Sequence, residues 1–502
     1  MSTPRPHIVP ELSHRSRKRD RSRFRAVLSW VALLGLALGL RVALAIGSPS
    51  IFQPDETYQT LEPAHRLAFG YGVITWEWRE GVRSWMFPAF LAGLMRSMAW
   101  LGPGSSGYIN GIVVVLSLIS LSTVWFAFAW AKRASGLNAA IIAAGACSIY
   151  YGLVYFAPKA FCEVFATHLL LPGLYLGVYA DHIGERKRMF FAGLLCGLAV
   201  ALRIQLIPAV LFAAIYFCYP RWRQRIPVVL AGLAIPILVF GLVDKITWSY
   251  PWQSFVRYFQ ANLIEGRAAA DGIKPWYWYL EAVLVLLGPA IVFLWHGARR
   301  TPFLAAFSVI VVLSHSLIGH KEVRYLYPVL PLLIVLASIG FVEVAFHMKV
   351  LARLRASPKG LVTTGLIVFA LSSSLLAWRF SRWCKTPGAE SAFDQLSRDS
   401  NLCGVGFYGP GSDYWTLSWY TAGGYAHLHR NVPILLIPSV AELAQDKLLL
   451  NALIVPASMP KVPDGFRLTQ CWNEACLLER PGQCASAPEE KQLNASLLKT
   501  GN

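Results

Sequence analysis

Apolar runs of about twenty residues recur along the chain, at 26–46, 85–101, 106–131, 137–157, 160–181, 188–218, 225–244, 277–297, 302–318, 326–347 and 360–380. A helix needs about 20 residues to cross a ~30 Å hydrocarbon core. In lipid the backbone must satisfy its own hydrogen bonds, so runs of this length read as helices. The eleven runs define a polytopic α-helical membrane protein with about 11 transmembrane helices. A mean hydropathy of +0.47 lies outside the soluble range and fits that reading.

The net charge of +19 would suit a nucleic-acid binder, but its placement does not. The basic residues sit mainly in short clusters between apolar runs, the positive-inside pattern of a membrane protein, so no nucleic-acid partner is expected. Residues 1–25 carry eight Lys or Arg and read as a cytoplasmic tail. Residues 26–46 then read as an uncleaved anchor, with Arg41 near its outer end; the alternative is a signal peptide cleaved at Ala43-Leu44-Ala45. The domain reading is a tail (1–25), a transmembrane domain (26–383) with outer loops 47–84 and 245–276, and a C-terminal domain and tail (384–502) outside the membrane. Eleven spans put Lys132-Arg133 and Arg186-Lys187-Arg188 outside, against the charge rule. A hairpin within the long run 188–218, interrupted by Arg203 and Pro208, would repair part of that conflict.

Beyond residue 381 the apolar runs stop. Leu402–Tyr408, Val432–Ile437 and Leu453–Pro456 read as short strands, so 384–485 is expected to be a small α/β domain. Gly404-x-Gly406-x-x-Gly409 matches a dinucleotide fingerprint by letter but is followed by Pro410-Gly411, where a helix should open, and reads as a turn. Cys384, Cys403, Cys471, Cys476 and Cys484 cluster here, which suggests one or two disulfides in an oxidising compartment, with one cysteine left over.

The chemistry concentrates in the first outer loop. Acid is scarce, 27 Asp and Glu against 46 Lys and Arg, yet Asp55, Glu56, Glu62, Glu77 and Glu80 fall together among aromatics and arginines. Asp55-Glu56 follows Pro54 at the end of a span. One carboxylate can act as a general base on an acceptor hydroxyl while the other orients it; alternatively either can cap the helix running to Phe69. Position alone does not separate these. His320-Lys321-Glu322-Val323-Arg324 is a second dense cluster on the same side. If helical, it sets His320 and Arg324 one turn apart, suited to clamping a phosphate leaving group. Arg203 lies inside an apolar run, where a charge is functional by default. Lys159 and Glu163, one turn apart, can pair with each other. Pro275-Trp276-Tyr277-Trp278-Tyr279 reads as an interfacial aromatic belt, a substrate wall, or both. No Asp-x-Asp, His-Glu-x-x-His or Walker loop is present, which argues against nucleotide-sugar or ATP chemistry.

Pro54-Asp-Glu-x-Tyr-Gln-x-Leu-Glu62-x-Ala-His65-Arg66, Tyr71-Gly-x-x-Thr-Trp76-Glu77-Trp78 and Arg83-Ser-x-x-x-Pro88 closely resemble the first outer loop of the dolichyl-phosphate-mannose-dependent α-mannosyltransferases. The His320–Pro328 segment resembles that family's second hallmark, and Asn262 through Trp278 its second outer loop. The resemblance spans roughly 26–347. It implies a GT-C fold and inverting transfer of mannose from a polyprenyl (dolichyl-type) phosphate to a glycan or glycolipid acceptor, with no cofactor and no metal. It further implies Asp55 as the catalytic carboxylate with Glu56 beside it, and donor-phosphate contacts from His320, Lys321, Arg324 and Arg203. Glu62, His65, Arg66, Trp76, Glu77, Arg83, Asn262, Trp276 and Trp278 are assigned to substrate binding. Two departures stand out: Arg203-Ile-Gln205 where the family usually has Arg-Pro-Thr, and Lys159-Ala-Phe-Cys-Glu163 where it often has Arg-Thr-x-x-Asn. The site is expected in the periplasm of a bacterial inner membrane or the lumen of an ER membrane. The reading from another class is a lipid-linked-sugar transporter or flippase that binds the donor without cleaving it.

Overall fold

In the computed structural model, residues 30–47, 53–102, 105–180, 184–347, 357–380, 388–408, 424–459, 462–472, 474–488 and 491–492 are described. The basic tail, Cys384 and the Gly409–Gly411 turn lie outside them. Five helical stretches are long and apolar enough to span a bilayer by length and composition: Trp30–Gly47 (α1), Gly107–Ile149, Trp222–Thr247, Trp278–Arg300 and Lys359–Arg379. Within the second lie Asn110–Ile119 (α4) and Ser122–Ile149 (α5), the latter broken by a left-handed Gly136. The shorter apolar helices are Cys162–Val178 (α6), Ile207–Cys218 (α8) with the turn before it, Pro302–Ser316 and Leu330–His347.

Charge pairing fixes which helix ends lie together. Arg133 stacks over Tyr179 at 4.6 Å, and Arg188 donates to the Tyr179 carbonyl. Glu185 pairs with Arg221 and Arg225 at 2.8 and 2.6 Å, and Ser135 and Arg300 meet at Glu343. Among the described residues, these basic clusters therefore share one face of the bundle. Two corrections to the sequence reading produce this. The 85–101 run lies against the first outer loop: its helix, Met86–Ser97 (α3), packs Phe87, Leu91 and Met95 in one cluster with Leu61 and Ala64. Its last turn returns Arg96 over Phe69, beside the first-loop helix Glu62–Phe69 (α2). The 188–218 run is two helices, Glu185–Leu202 (α7) and α8, reversing at Arg203, whose φ of −143° and ψ of 91° are extended. With α3 set beside the first outer loop and an added reversal at Arg203, these basic clusters fall on one side and the charge conflict disappears.

One close helix contact is α7 against Trp222–Thr247 (α9). A Cβ added to Gly193 would lie 2.3 Å from the Val229 carbonyl, and one on Gly232 would lie 2.2 Å from that of Phe190. Small residues that let backbones touch are how helices associate in lipid, where hydrophobic force between them is absent. Gly232→Leu is expected to cost about 1–3 kcal/mol or more by overpacking, read as a lower thermal midpoint of the detergent-solubilised protein.

On the opposite face sits a five-stranded sheet, ordered β2-β1-β3-β5-β4. Its strands are Val405–Tyr408 (β1), Ile434–Ile437 (β2), Ala452–Pro456 (β3), Arg467–Cys471 (β4) and Ala475–Glu479 (β5). β1 runs parallel to both β2 and β3, and the β4–β5 hairpin is antiparallel to β3. The first three were legible as apolar runs; the hairpin was not, because β4 is an exposed, largely polar edge. Cys471 and Cys476 bridge the hairpin end, and Cys403 bonds Cys484. Tyr58 and Val73 of the first outer loop enter the core of this unit beside Phe393, Phe407 and Tyr425, which seats the sheet on that loop.

Candidate active site

Pro54 starts a helix whose first turn holds Asp55 and Glu56, the Pro54 carbonyl accepting from the amides of Thr57 and Tyr58 at 3.0 Å. A π-helical turn over Thr57–Leu61 follows, then α2. The expected Leu61–Phe69 helix thus extends back to the carboxylates, and π-turns of this kind recur at functional sites. Glu56 makes no capping bond. One of its oxygens accepts from the Ala160 amide at 2.9 Å, the other pairs with Lys159 at 3.1 Å, and Thr60 donates to the Ala160 carbonyl at 2.8 Å. Asp55 reaches across to the Arg324 guanidinium.

Arg324 is the centre of the site. Besides Asp55 it contacts Glu163 at 3.3 Å and Glu322 at 2.8 Å, so three carboxylates surround one buried guanidinium. Burial pulls its pKa down, but Glu163, Asp55 and Glu322 raise it well above the ordinary arginine value. Glu322 answers in kind: burial works to raise its pKa, yet Arg324 and His320 hold it far below the usual carboxylate range. The other oxygen of Glu163 faces Arg203 at 3.7 Å. Arg203 and Arg324 both stack on Tyr325, at 4.4 and 5.1 Å, and the Arg203 Nε is buried without a hydrogen-bond partner. Lys159 and Glu163 are therefore not paired with each other as expected, because each is drawn to a partner from another element. Arg83 grips Glu77 through Nε at 3.1 Å and a terminal nitrogen at 2.6 Å. Between Arg83 and Arg203 opens a cleft, continuous with solvent and walled by Met86, Phe87, Phe240 and Phe255.

The 320–324 segment is not a helix. Glu322 is extended (φ −127°, ψ 150°), and only Val323–Leu326 turns, as a 3-10 turn. Arg324 consequently enters the carboxylate cluster while its neighbours face the second outer loop. Lys321 donates to the carbonyl of Lys274 at 3.1 Å and to that of Ile318, and His320 lies 3.2 Å from the Gly272 carbonyl and 3.1 Å from Glu322. In that loop Asn262 donates to the Tyr258 carbonyl, Trp278 is covered by Lys274 at 3.9 Å, and Trp276 is 67% exposed. Trp76 lies under Arg267, which also bonds Glu80, tying the two outer loops together.

Glu62, His65 and Arg66 are engaged away from the carboxylate cluster. Glu62, fully buried, accepts from the amides of Val73 (2.7 Å) and Ala426 (2.5 Å). His65 meets His429 at 3.0 Å, Tyr108 donates to the Ala426 carbonyl, and Arg66 donates to the Gly72 carbonyl. Ala426 and His429 come from the helix Gly424–Leu428 and the residue after it. Gly424 is required there: its φ is +59°, and a Cβ would fall 2.4 Å from the Glu62 carboxylate. Sequence reasoning missed this joint, as it missed the roles of Glu163 and Glu322; an acid inside the apolar run 160–181 was the one available signal for Glu163.

Burial raises the Glu62 pKa to about 8, against two amide hydrogen bonds that lower it. A folded-state pKa above the unfolded value means the native state binds the extra proton. That stability is complete below about pH 4.5 and is lost as pH rises through 8. The thermal midpoint should therefore fall between pH 5 and 9, and Glu62→Gln should flatten that part of the slope.

The fold has close counterparts among known structures. ArnT from Cupriavidus metallidurans bound to undecaprenyl phosphate superposes with a TM-score of 0.58 at 14% identity, over 91% of this chain and 99% of that one. The apo form of the same protein gives 0.57. The helical bundle with a small sheet on one face is the fold of those membrane proteins. The profile of the Alg9-like mannosyltransferase family matches residues 31–429, and the chain belongs to that family. GPI mannosyltransferase 3 of Yarrowia lipolytica is 26% identical over 410 residues, 80% of this chain and 76% of that protein. GPI alpha-1,2-mannosyltransferase 3 of Mus musculus is 28% identical over 315 residues, 60% and 56% of the two chains. The protein is a membrane mannosyltransferase.

Proposed function

We propose that the enzyme transfers mannose, with inversion, from a polyprenyl-phosphate mannose of the dolichyl type to a lipid-linked glycan acceptor, forming an α-mannosidic bond. The observation that carries this reading is Asp55 facing Arg324 within one cluster, a base beside a cation fit for phosphate. Asp55 takes the acceptor's hydroxyl proton; the oxygen attacks the anomeric carbon of the β-linked donor as the bond to the phosphate oxygen breaks. The electron pair leaves on the phosphate, where Arg324 and Arg203 lower the cost of the growing charge, fixed cations in a water-poor site being worth far more than in bulk. Glu56, tied to Lys159, holds the helix start that carries Asp55. The cleft between Arg83 and Arg203, with apolar walls, suits a prenyl chain whose phosphate lies at its inner end. The relatives' names favour a glycolipid acceptor. By the positive-inside rule the basic face is cytoplasmic and the site faces the lumen or periplasm.

The test supplies purified protein in liposomes with radiolabelled polyprenyl-phosphate mannose and a lipid-linked glycan fraction. Label should appear in an α-mannosidase-sensitive product, at the same rate with EDTA present because the leaving phosphate is met by side-chain cations. Donor that is bound but never consumed, alongside an acceptor a related enzyme can use, would favour a carrier over a transferase.

A further inference from the structure

We propose that Arg324 holds Asp55 in an idle ion pair that the donor's phosphate breaks, so that the base is released only when a donor is in place. The inference rests on the donor reading above. A guanidinium has five N–H donors. In Arg324, Nε is given to Glu322 at 2.8 Å, one terminal nitrogen to Glu322 at 2.9 Å and to Asp55, and the other faces Glu163 at 3.3 Å. A phosphate seeking a two-pronged grip finds each edge already committed.

Burial decides which carboxylate gives way. The side chains of Glu163 and Glu322 are 3% and 11% exposed, that of Asp55 29%. A buried carboxylate that leaves its cation loses the pair and stays out of water, whereas an exposed one is rehydrated. Glu322 is further fixed by His320 and by the Tyr325 hydroxyl at 3.0 Å, and Glu163 by Arg203. Asp55 is the exchangeable partner. The buried, unpartnered Nε of Arg203 supplies a second contact for the incoming phosphate, since both arginines share Glu163 and the Tyr325 ring.

Freed of the guanidinium, the Asp55 carboxylate is open to accept a hydrogen bond from the acceptor hydroxyl. Donor arrival thus both fills the phosphate site and arms Asp55, and the acceptor is activated second. After transfer Asp55 carries the acceptor's proton, is neutral, and does not compete for Arg324 until it loses that proton.

The experiment measures binding of polyprenyl phosphate alone to the full chain in nanodiscs. Asp55→Asn, which keeps the size and removes the competing charge, should bind about tenfold more tightly or better, the scale of a lost charge-assisted hydrogen bond. Asp55→Glu keeps the charge and should stay nearer wild type; Asp55→Ser replaces Asn should that variant's thermal midpoint show it misfolded. Unchanged or weaker binding by the neutral variants, with wild type binding normally, overturns the latch and leaves the donor reading intact. Wild type that neither binds polyprenyl phosphate nor transfers from its mannosylated form removes both.

Discussion

Asp55→Asn is expected to cut mannosyl transfer by about 10²–10⁴-fold, the range a positioned general base contributes. The substitution keeps the size and outline and removes the negative charge, and with it the ability to take a proton. Asp55 is the most exposed of the three carboxylates at Arg324, so the variant should fold with little change in thermal midpoint. The loss should fall on kcat, because the acceptor still docks against an amide of the same outline. Measured under saturating donor, a variant that keeps more than about a tenth of wild-type kcat would assign the base elsewhere, with Glu56 next in line by position.

Arg324→Ala is expected to damage both stability and rate. Truncation leaves Asp55, Glu163 and Glu322 facing one another with their shared cation gone. Removing one partner from a buried charge cluster costs about 3–5 kcal/mol, and loss of one fixed donor to a developing anion costs about 10²–10³ in rate. Arg324→Lys separates the two effects. A lysine keeps a positive charge but replaces the planar fork with a point charge on a flexible stem. Its thermal midpoint should stay close to wild type while transfer remains strongly reduced. Equal losses in both variants would mean that the guanidinium's geometry matters for folding rather than for phosphate.

Much of this site was legible one motif at a time. Asp55 from the pile-up of acid after the first span, the Arg203 charge in an apolar run and Arg324 lie in one cluster. What the chain could not disclose was pairing between distant residues. Asp55 and Arg324 are separated by 269 positions, and nothing local in either marks the other as its partner. Helical spacing misplaced His320 and Lys321, because the extended Glu322 turns them toward the second loop. Glu62, seven residues from Asp55, looked like part of the same chemistry; its environment is set by amides of the C-terminal unit. Hydropathy likewise counted α3 as a span, since an apolar run packed on a neighbouring loop helix has the same composition as one in lipid. The sheet's first strands were readable because full burial makes them continuously apolar.

The Glu62 joint ties the order of synthesis to the onset of activity. The amide that Glu62 accepts from Ala426 lies 364 residues further along the chain. At about 5–20 residues per second, ribosomes need about 20–70 s to make that stretch. During this interval the helix bearing Asp55 lacks its seat, and its carboxylate at position 62 stays hydrated instead of enclosed. A nascent chain with every early span already inserted would thus still be catalytically silent. Premature termination anywhere before residue 424 should yield membrane-inserted protein without transferase activity, and newly made enzyme would first work only after nearly its whole length had been delivered across the bilayer.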